Sequence, residues 1–337
     1  MKFNILIQGS VCCNGSVNSF EQNLRKTLNT IDESFISKIV VSTWDLDREL
    51  VTPVMNSFPH VTFIFSKDPG ALSKAINGVT VNSNINRLIQ STAVGLQEFS
   101  PYDIVAKIRS DSYFTRSDWI ELYKKHISLK RSEEFILFDK PVLNISTFIR
   151  NPDSFLPFLY HPSDIMLVGA KKDLDLLFNI PYAEVDIIDN VKSKFISCHF
   201  KICPEQYLFI TAINSNYSSN KVSLSFKKNF NFTENEKINS IRYLINNFIF
   251  YSPSEIGFRW PKWWIKYLGK GWSTIYDHND WKNLRNIYEK DSYSICKSRI
   301  ILKKYMIFLG KIYFYMRSYL LNITWIKKLA YNIFAKR

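Results

Sequence analysis

Residues 3 to 215 predict an α/β sandwich built on a mostly parallel sheet. Short apolar runs alternate there with segments of helical spacing, which is the signature of strand and helix units laid side by side. At 337 residues and 46% hydrophobic content the chain can bury one large core or two smaller ones, and it is far too apolar to be disordered. No segment repeats internally.

Phe3 to Ile7 reads as the first strand and runs into Gln8, Gly9 and Ser10; an amphipathic helix is expected around Phe20 to Ile31. Ile39 to Trp44 forms the second strand. A third apolar run, Val61 to Phe65, ends at Ser66-Lys67-Asp68-Pro69-Gly70, where Pro and Gly impose a loop at the strand's carboxyl end. Ligands of such sheets sit at that edge. Asn84 to Leu96 has helical spacing, with Arg87 and Gln90 on a different face from Leu88, and Ile104 to Ile108 is a further strand. After about residue 250 the chain is rich in Trp and Tyr, including Trp260, Trp263, Trp264, Trp272 and Trp281. A boundary is expected near residue 220, dividing the α/β unit (1–220) from a helical, aromatic extension (221–291) and a basic tail (292–337).

Five cysteines, Cys12, Cys13, Cys198, Cys203 and Cys296, include no CxxC pair and suggest neither a disulfide framework nor structural zinc. Reduced thiols in a cytoplasm fit this pattern best. The N-terminal apolar run is too short for a signal-peptide core. The formal net charge is +14, from 44 Lys plus Arg against 30 Asp plus Glu. Its distribution matters more than its size: from Ser292 to Arg337 there is no Asp or Glu and there are ten cations.

Three constellations carry candidate chemistry. Lys107, Arg109 and Asp111 alternate with apolar or small residues, so the three charges share one strand face. Two cations and a carboxylate at a sheet edge suit the developing charge of a departing diphosphate; a structural ion-pair cluster is the plainer alternative. Asp164 follows His161-Pro162-Ser163 and precedes an apolar run, which places a carboxylate at the sheet margin, able to take a proton from an acceptor hydroxyl. A simple turn explains the same residues. Pro204 and Glu205 fit the first turn of a helix, where Glu205 is favoured as an anion.

In order along the chain, Ile5 to Gly9, Ile39 to Trp44, Asp68-Pro69-Gly70, Asn86-Arg87 with Gln90 to Thr92 and Gly95-Leu96, Lys107 to Asp111, Ser163-Asp164, and Pro204 to Tyr207 resemble the WavE family of lipopolysaccharide-synthesis proteins. Each piece is weak alone, and their joint order over about residues 3 to 210 makes the match specific. The resemblance implies a GT-A-like (Rossmann-like) sheet and a bacterial glycosyltransferase that builds lipopolysaccharide (core or O-antigen) or capsule from a nucleotide-sugar. The expected acceptor is a lipid-linked saccharide. By position, Gln8, Gly9 and Asp68 belong to the nucleotide pocket, Arg87 contacts the diphosphate, and Lys107, Arg109 and Asp111 complete the donor site. The resemblance brings no mechanism with it: if the transfer inverts the anomeric centre, Asp164, ahead of Glu205, is the expected base, and if it retains configuration neither residue is. Many GT-A enzymes hold a divalent metal with an Asp-any-Asp pair, whereas Ser112 and Tyr113 follow Asp111 here. Asp111 therefore either holds Mg²⁺ or Mn²⁺ with the diphosphate completing the shell, or binds sugar hydroxyls while the cations replace the metal.

On a helical wheel Arg299, Lys303, Lys304, Lys311, Arg317, Lys328 and Lys336 fall in an arc of about 140°, with most apolar residues outside it. That pattern suits an interfacial helix on the anionic inner face of the plasma membrane, each Lys or Arg adding about 1 kcal/mol; a helix packed on the core with solvated charges is the alternative. No stretch reaches the ~18 uncharged apolar residues of a spanning helix. A nucleic-acid-binding protein is disfavoured, because the charge is concentrated in a greasy terminal segment. A non-catalytic membrane scaffold stays open as the alternative to an enzyme.

Overall fold

The computed structural model describes residues 1–12, 15–76, 78–192, 197–216, 222, 232–261, 271–320 and 323. Seven strands form the central sheet in the order β12-β8-β9-β6-β1-β2-β3. In chain order these are β1 (Phe3–Gln8), β2 (Ile36–Trp44), β3 (Thr62–Ser66), β6 (Ile104–Arg109), β8 (Val142–Ile145), β9 (Leu167–Ala170) and β12 (Phe248–Tyr251). All are parallel except β9, which runs antiparallel to both β6 and β8. The mostly parallel α/β sheet expected from the sequence is the one observed.

The centre of the sheet is closed on both faces, and its sequences show why. Every residue of β1 is buried, as expected of a parallel strand covered by helices on each side. Helix α3 (Ile85–Leu96) packs on β1 and β2 through Ser91, Thr92 and Gly95. A Cβ on Gly95 would lie 2.4 Å from Leu6 Cδ1 and 2.9 Å from Ser42 Cβ, so only glycine lets the helix approach this closely. On the opposite side Phe3 meets Trp119 of α4 (Asp118–His126) edge to face at 5.3 Å, and Trp119 stacks on Phe114. Helix α1 (Asn18–Thr30) buries Phe20 and Leu24 beside them.

Elements the sequence reading passed over are the helix α2 (Arg48–Ser57) and the hairpin β4 (Leu72–Ile76) and β5 (Val79–Ser83), which continues from the Asp68 loop. Two further short pairs are β7 (Tyr113–Phe114) with β13 (Phe258–Arg259), and β10 (Ile188–Lys192) with β11 (Ser197–Phe200). Helices α5 (Lys171–Phe178) and α6 (Pro204–Asn216) follow β9 and β11.

The boundary expected near residue 220 does not divide the core, although 217–221 themselves lie outside the described residues. Helix α7 (Glu234–Asn247) leads into β12, which pairs in parallel with β8 and supplies an edge of the main sheet. Its entry is fixed by a capping box between Thr233 and Glu236, a feature worth about 1 kcal/mol. A second capping box opens the short α8 (Pro253–Ile256). Trp281, on α9 (His278–Tyr288), is fully buried and donates to the Phe248 carbonyl at 2.9 Å. The aromatic extension is thus partly core. Trp263 and Trp264 lie outside the described residues.

Helix α10 (Lys297–Leu320) covers the first part of the basic tail. Leu321, Asn322 and residues 324–337 lie outside the described residues, and with them Lys328 and Lys336 of the expected cationic arc. Among the described residues, no helix is long and apolar enough to cross a membrane.

Candidate active site

The carboxyl ends of β1, β2, β3 and β6 open onto a cavity of about 400 Å³. Its lining includes Gln8, Gly9, Ser10, Trp44, Asp47, Asp68, Asn84, Arg87, Arg109, Ser110 and Asp111. Gly9 takes φ +106°, a conformation that suits glycine, and its N–H donates to the Ser42 carbonyl at 3.0 Å. The chain can therefore turn sharply off β1 without placing a side chain in the cavity mouth. Gln8 is buried, and its Oε1 accepts from Ser91 Oγ at 2.7 Å. Gln8 therefore ties α3 to the cavity floor.

Two arginine–carboxylate forks stand on the cavity wall. Arg87 Nε donates to Asp68 Oδ1 at 2.8 Å, and Nη2 to Oδ2 at 2.6 Å. Asp68 is held in place by the Gly70 N–H at 2.9 Å, and the Arg87 bonds keep its carboxyl below the ordinary value. Arg109 Nε and Nη2 bond Asp111 Oδ1 and Oδ2 at 2.9 and 3.0 Å. Burial works against the Arg109 charge, but the bond to Asp111 and the charges of Asp111, Asp164 and Glu205 together outweigh it and raise the guanidinium pKa. The same guanidinium lies 5.2 Å from the centre of the Trp260 ring, so an aromatic plate from the far end of the chain backs the site.

Asp47 was not anticipated. It is buried and accepts from Thr43 Oγ1 at 2.8 Å and from Ser10 Oγ and Val11 N at 3.3 Å, which orders the loop after β1. Its position just past the end of β2 was the available signal.

Lys107 departs from the expected arrangement. Its side chain is wholly buried, its Nζ donates to the Asp164 carbonyl, and it lies over the Phe178 ring. Burial lowers its pKa to about 7. A lysine two residues back from the strand end reaches the interior, not the cavity, and there it fastens the backbone that carries Asp164.

Asp164 and Glu205 form a second acidic group beyond Arg109. Because β9 runs antiparallel, the segment before it returns to the carboxyl end of β6, which places Asp164 beside Arg109. Glu205 sits in the first turn of α6, and His161 Nε2 is 3.5 Å from its Oε2. Burial, and then the charge of Asp164, raise the Glu205 carboxyl to about 8. The anion expected at this helix terminus is therefore protonated near neutral pH, because desolvation exceeds the pull of the helix end. Burial likewise lowers His161 to about 3, so the His161–Glu205 contact joins two neutral groups.

Among the described residues no three His, Cys, Asp or Glu side chains are grouped to hold a metal. Ser112 Oγ is turned back to the Arg109 carbonyl and Tyr113 lies under Lys26, which leaves Asp111 as the carboxylate at this strand end. One carboxylate with substrate phosphates and water is a common Mg²⁺ arrangement, so Asp111 fits as the protein's share of such a site.

A mostly parallel sheet with a polar, cation-bearing cavity at its carboxyl edge defines an α/β protein of the kind that binds its ligand at strand ends. Residues 3–314 match the family described as WavE lipopolysaccharide synthesis, and the chain belongs to that family. No curated protein matches the sequence. Among solved structures, the chain is similar to residues 1–349 of S. aureus TarS, with 14% identity over 63% of this chain and 55% of that one and a TM-score of 0.35. It is also similar to mouse xyloside xylosyltransferase 1, with 8% identity over 64% and 82% of the two chains and a TM-score of 0.33. A third is the 4-diphosphocytidyl-2C-methyl-D-erythritol synthase of Anaerococcus prevotii, at 12% identity, 55% and 80% coverage and a TM-score of 0.30. At these scores none of the three bears on function.

Proposed function

We propose that the chain is a glycosyltransferase, moving a sugar from a nucleotide-sugar donor to a lipid-linked saccharide acceptor of lipopolysaccharide, core or O-antigen, or of capsule. The observation that carries this reading is the pair of Arg–Asp forks on one cavity at the carboxyl edge of the sheet. A diphosphate offers the same bidentate oxygen geometry as a carboxylate. Arg87 and Arg109 exchange their carboxylates for it, and this frees Asp111 for the donor sugar or for Mg²⁺ or Mn²⁺. A bound divalent ion would neutralise charge on the leaving diphosphate. Gln8, Gly9 and Asp68 shape the nucleotide end of the cavity.

In an inverting transfer Asp164 takes the proton of the acceptor hydroxyl, since Glu205 already holds one near neutral pH. Lys107 acts only by holding the Asp164 backbone. Such an enzyme meets its acceptor at the inner face of the plasma membrane, from the cytoplasm, as a peripheral protein. Turnover of a panel of UDP-, GDP- and CMP-sugars tests the reading, with Asp111→Ala as control. Transfer from one donor that the variant loses supports it. Equal turnover by the variant removes Asp111 from the site, and absence of UDP and GDP binding in calorimetry favours the non-catalytic scaffold.

A further inference from the structure

Helix α10 is fastened to the protein along one narrow face. Lys303 is buried and bonds Asp280, Arg299 Nη2 bonds Asp277 Oδ2 at 2.8 Å, Gly310 lies against Phe155, and Phe314 stacks on Phe155 at 4.3 Å. At 100° per residue, Lys303, Ile307, Gly310 and Phe314 share an arc of about 60°. The opposite side is apolar and open. Ile301, Tyr305, Phe308, Tyr313, Tyr315 and Tyr319 are each more than half exposed and together span about 160° of the wheel. Lys304 and Lys311 lie along one border of this face and Arg317 along the other. Lys304 and Lys311 have no ion pair among the described residues.

We infer that this outward face of α10 is the surface that lies on an anionic lipid bilayer, with its aromatic side chains at headgroup depth and the bordering cations against lipid phosphates. This deepens the membrane part of the proposed function and does not depend on the sugar chemistry. Three properties select lipid as the occupant. Exposed apolar surface this continuous is rare on a monomeric soluble protein. Four of the six side chains are tyrosines, which are at home where one end is apolar and the other wet. The helix has cations on both borders and no acid, so a second copy placed face to face would set like charges together, whereas anionic headgroups complement them. Arg299 and Lys303, which the helical wheel assigns to the lipid side, are instead bonded to Asp277 and Asp280 of the protein.

Co-sedimentation of the full chain with vesicles of phosphatidylcholine alone, and of phosphatidylcholine with phosphatidylglycerol, tests this. Wild-type protein is expected to bind the anionic vesicles, weakly or not at all the neutral ones, and to be released by salt. Lys304→Gln with Lys311→Gln should weaken binding by about thirtyfold, and Phe308→Glu with Tyr315→Glu should abolish it. These side chains point away from the protein, so circular dichroism should be unchanged; Phe308→Ser with Tyr315→Ser serves if the acidic pair disturbs the helix. Equal binding by wild type and variants overturns the inference. A wild-type dimer that Phe308→Glu dissociates, without vesicle binding, overturns it too and assigns the face to self-association. UDP and GDP calorimetry on the same proteins keeps the readings separate: loss of nucleotide binding in all of them would sink the transferase and leave the vesicle result standing.

Discussion

Arg87 and Arg109 at the cavity, and Lys303 on the docked face of α10, are all cations held by aspartates, yet their surroundings differ. Side-chain exposure is 38% for Arg87 but 3% for Lys303. Two carboxylates, Asp277 and Asp280, converge on Lys303, and Asp277 doubles as the N-cap of α9. Each cavity arginine is hydrogen-bonded to a single Asp and lines open space. A buried, shared pair costs much to break, because the remaining charge is left without water. An open fork can trade one oxyanion for another at little cost. The same residue types thus make a rivet in one place and an exchangeable ligand in the other.

The largest expected effect tests the rivet. Lys303→Met leaves Asp277 and Asp280 facing each other and should cost about 3–5 kcal/mol in denaturant unfolding, with nucleotide binding unchanged. A loss below about 1 kcal/mol would mean that the clamp is no more than a surface pair. Next, Asp111→Ala should lower sugar transfer by about 10²–10³-fold while the unfolding midpoint stays close to wild type. A stability loss as large as that of Lys303→Met would place the cavity fork among the structural pairs instead. Smaller again is Arg87→Lys, which keeps the charge and removes the fork. Nucleotide affinity should fall about tenfold, and an unchanged affinity by calorimetry would separate Arg87 from the diphosphate.

The sequence carries some of this contrast and hides the rest for identifiable reasons. β1 and β6 are legible because a strand buried on both faces is a continuous apolar run, and its end marks the edge where Gly9 and Asp111 stand. Lys107 misleads because alternation gives a face but not a depth, and the buried partner is a backbone carbonyl 57 residues away. The role of Asp47 is concealed by Asp45 and Leu46, which read as a solvated turn. β12 belongs to the sheet only through its pairing with β8, about a hundred residues upstream, and local pattern does not encode that. On α10 the wheel shows two faces but not which one docks, since Lys303 and Lys304 look alike until Asp280 is placed beside one of them.

Glu205 adds a third environment, a buried carboxyl near cations but without a fork, and its effect should be the most dependent on pH. Its folded pKa of about 8 lies above the ordinary 4.5. Between those values the folded chain holds a proton that the unfolded chain has released, so stability falls as pH rises through this window and levels off above 8. Glu205→Gln keeps the shape without the titration. Variant and wild type should therefore melt together near pH 5 and diverge toward pH 9, where the variant should melt at the higher temperature. If Asp164 is the base, the variant should also keep transfer at neutral pH. Parallel melting curves from pH 5 to 9 would show that the proton is not on Glu205, and an inactive variant with normal nucleotide binding would move the base from Asp164 to Glu205.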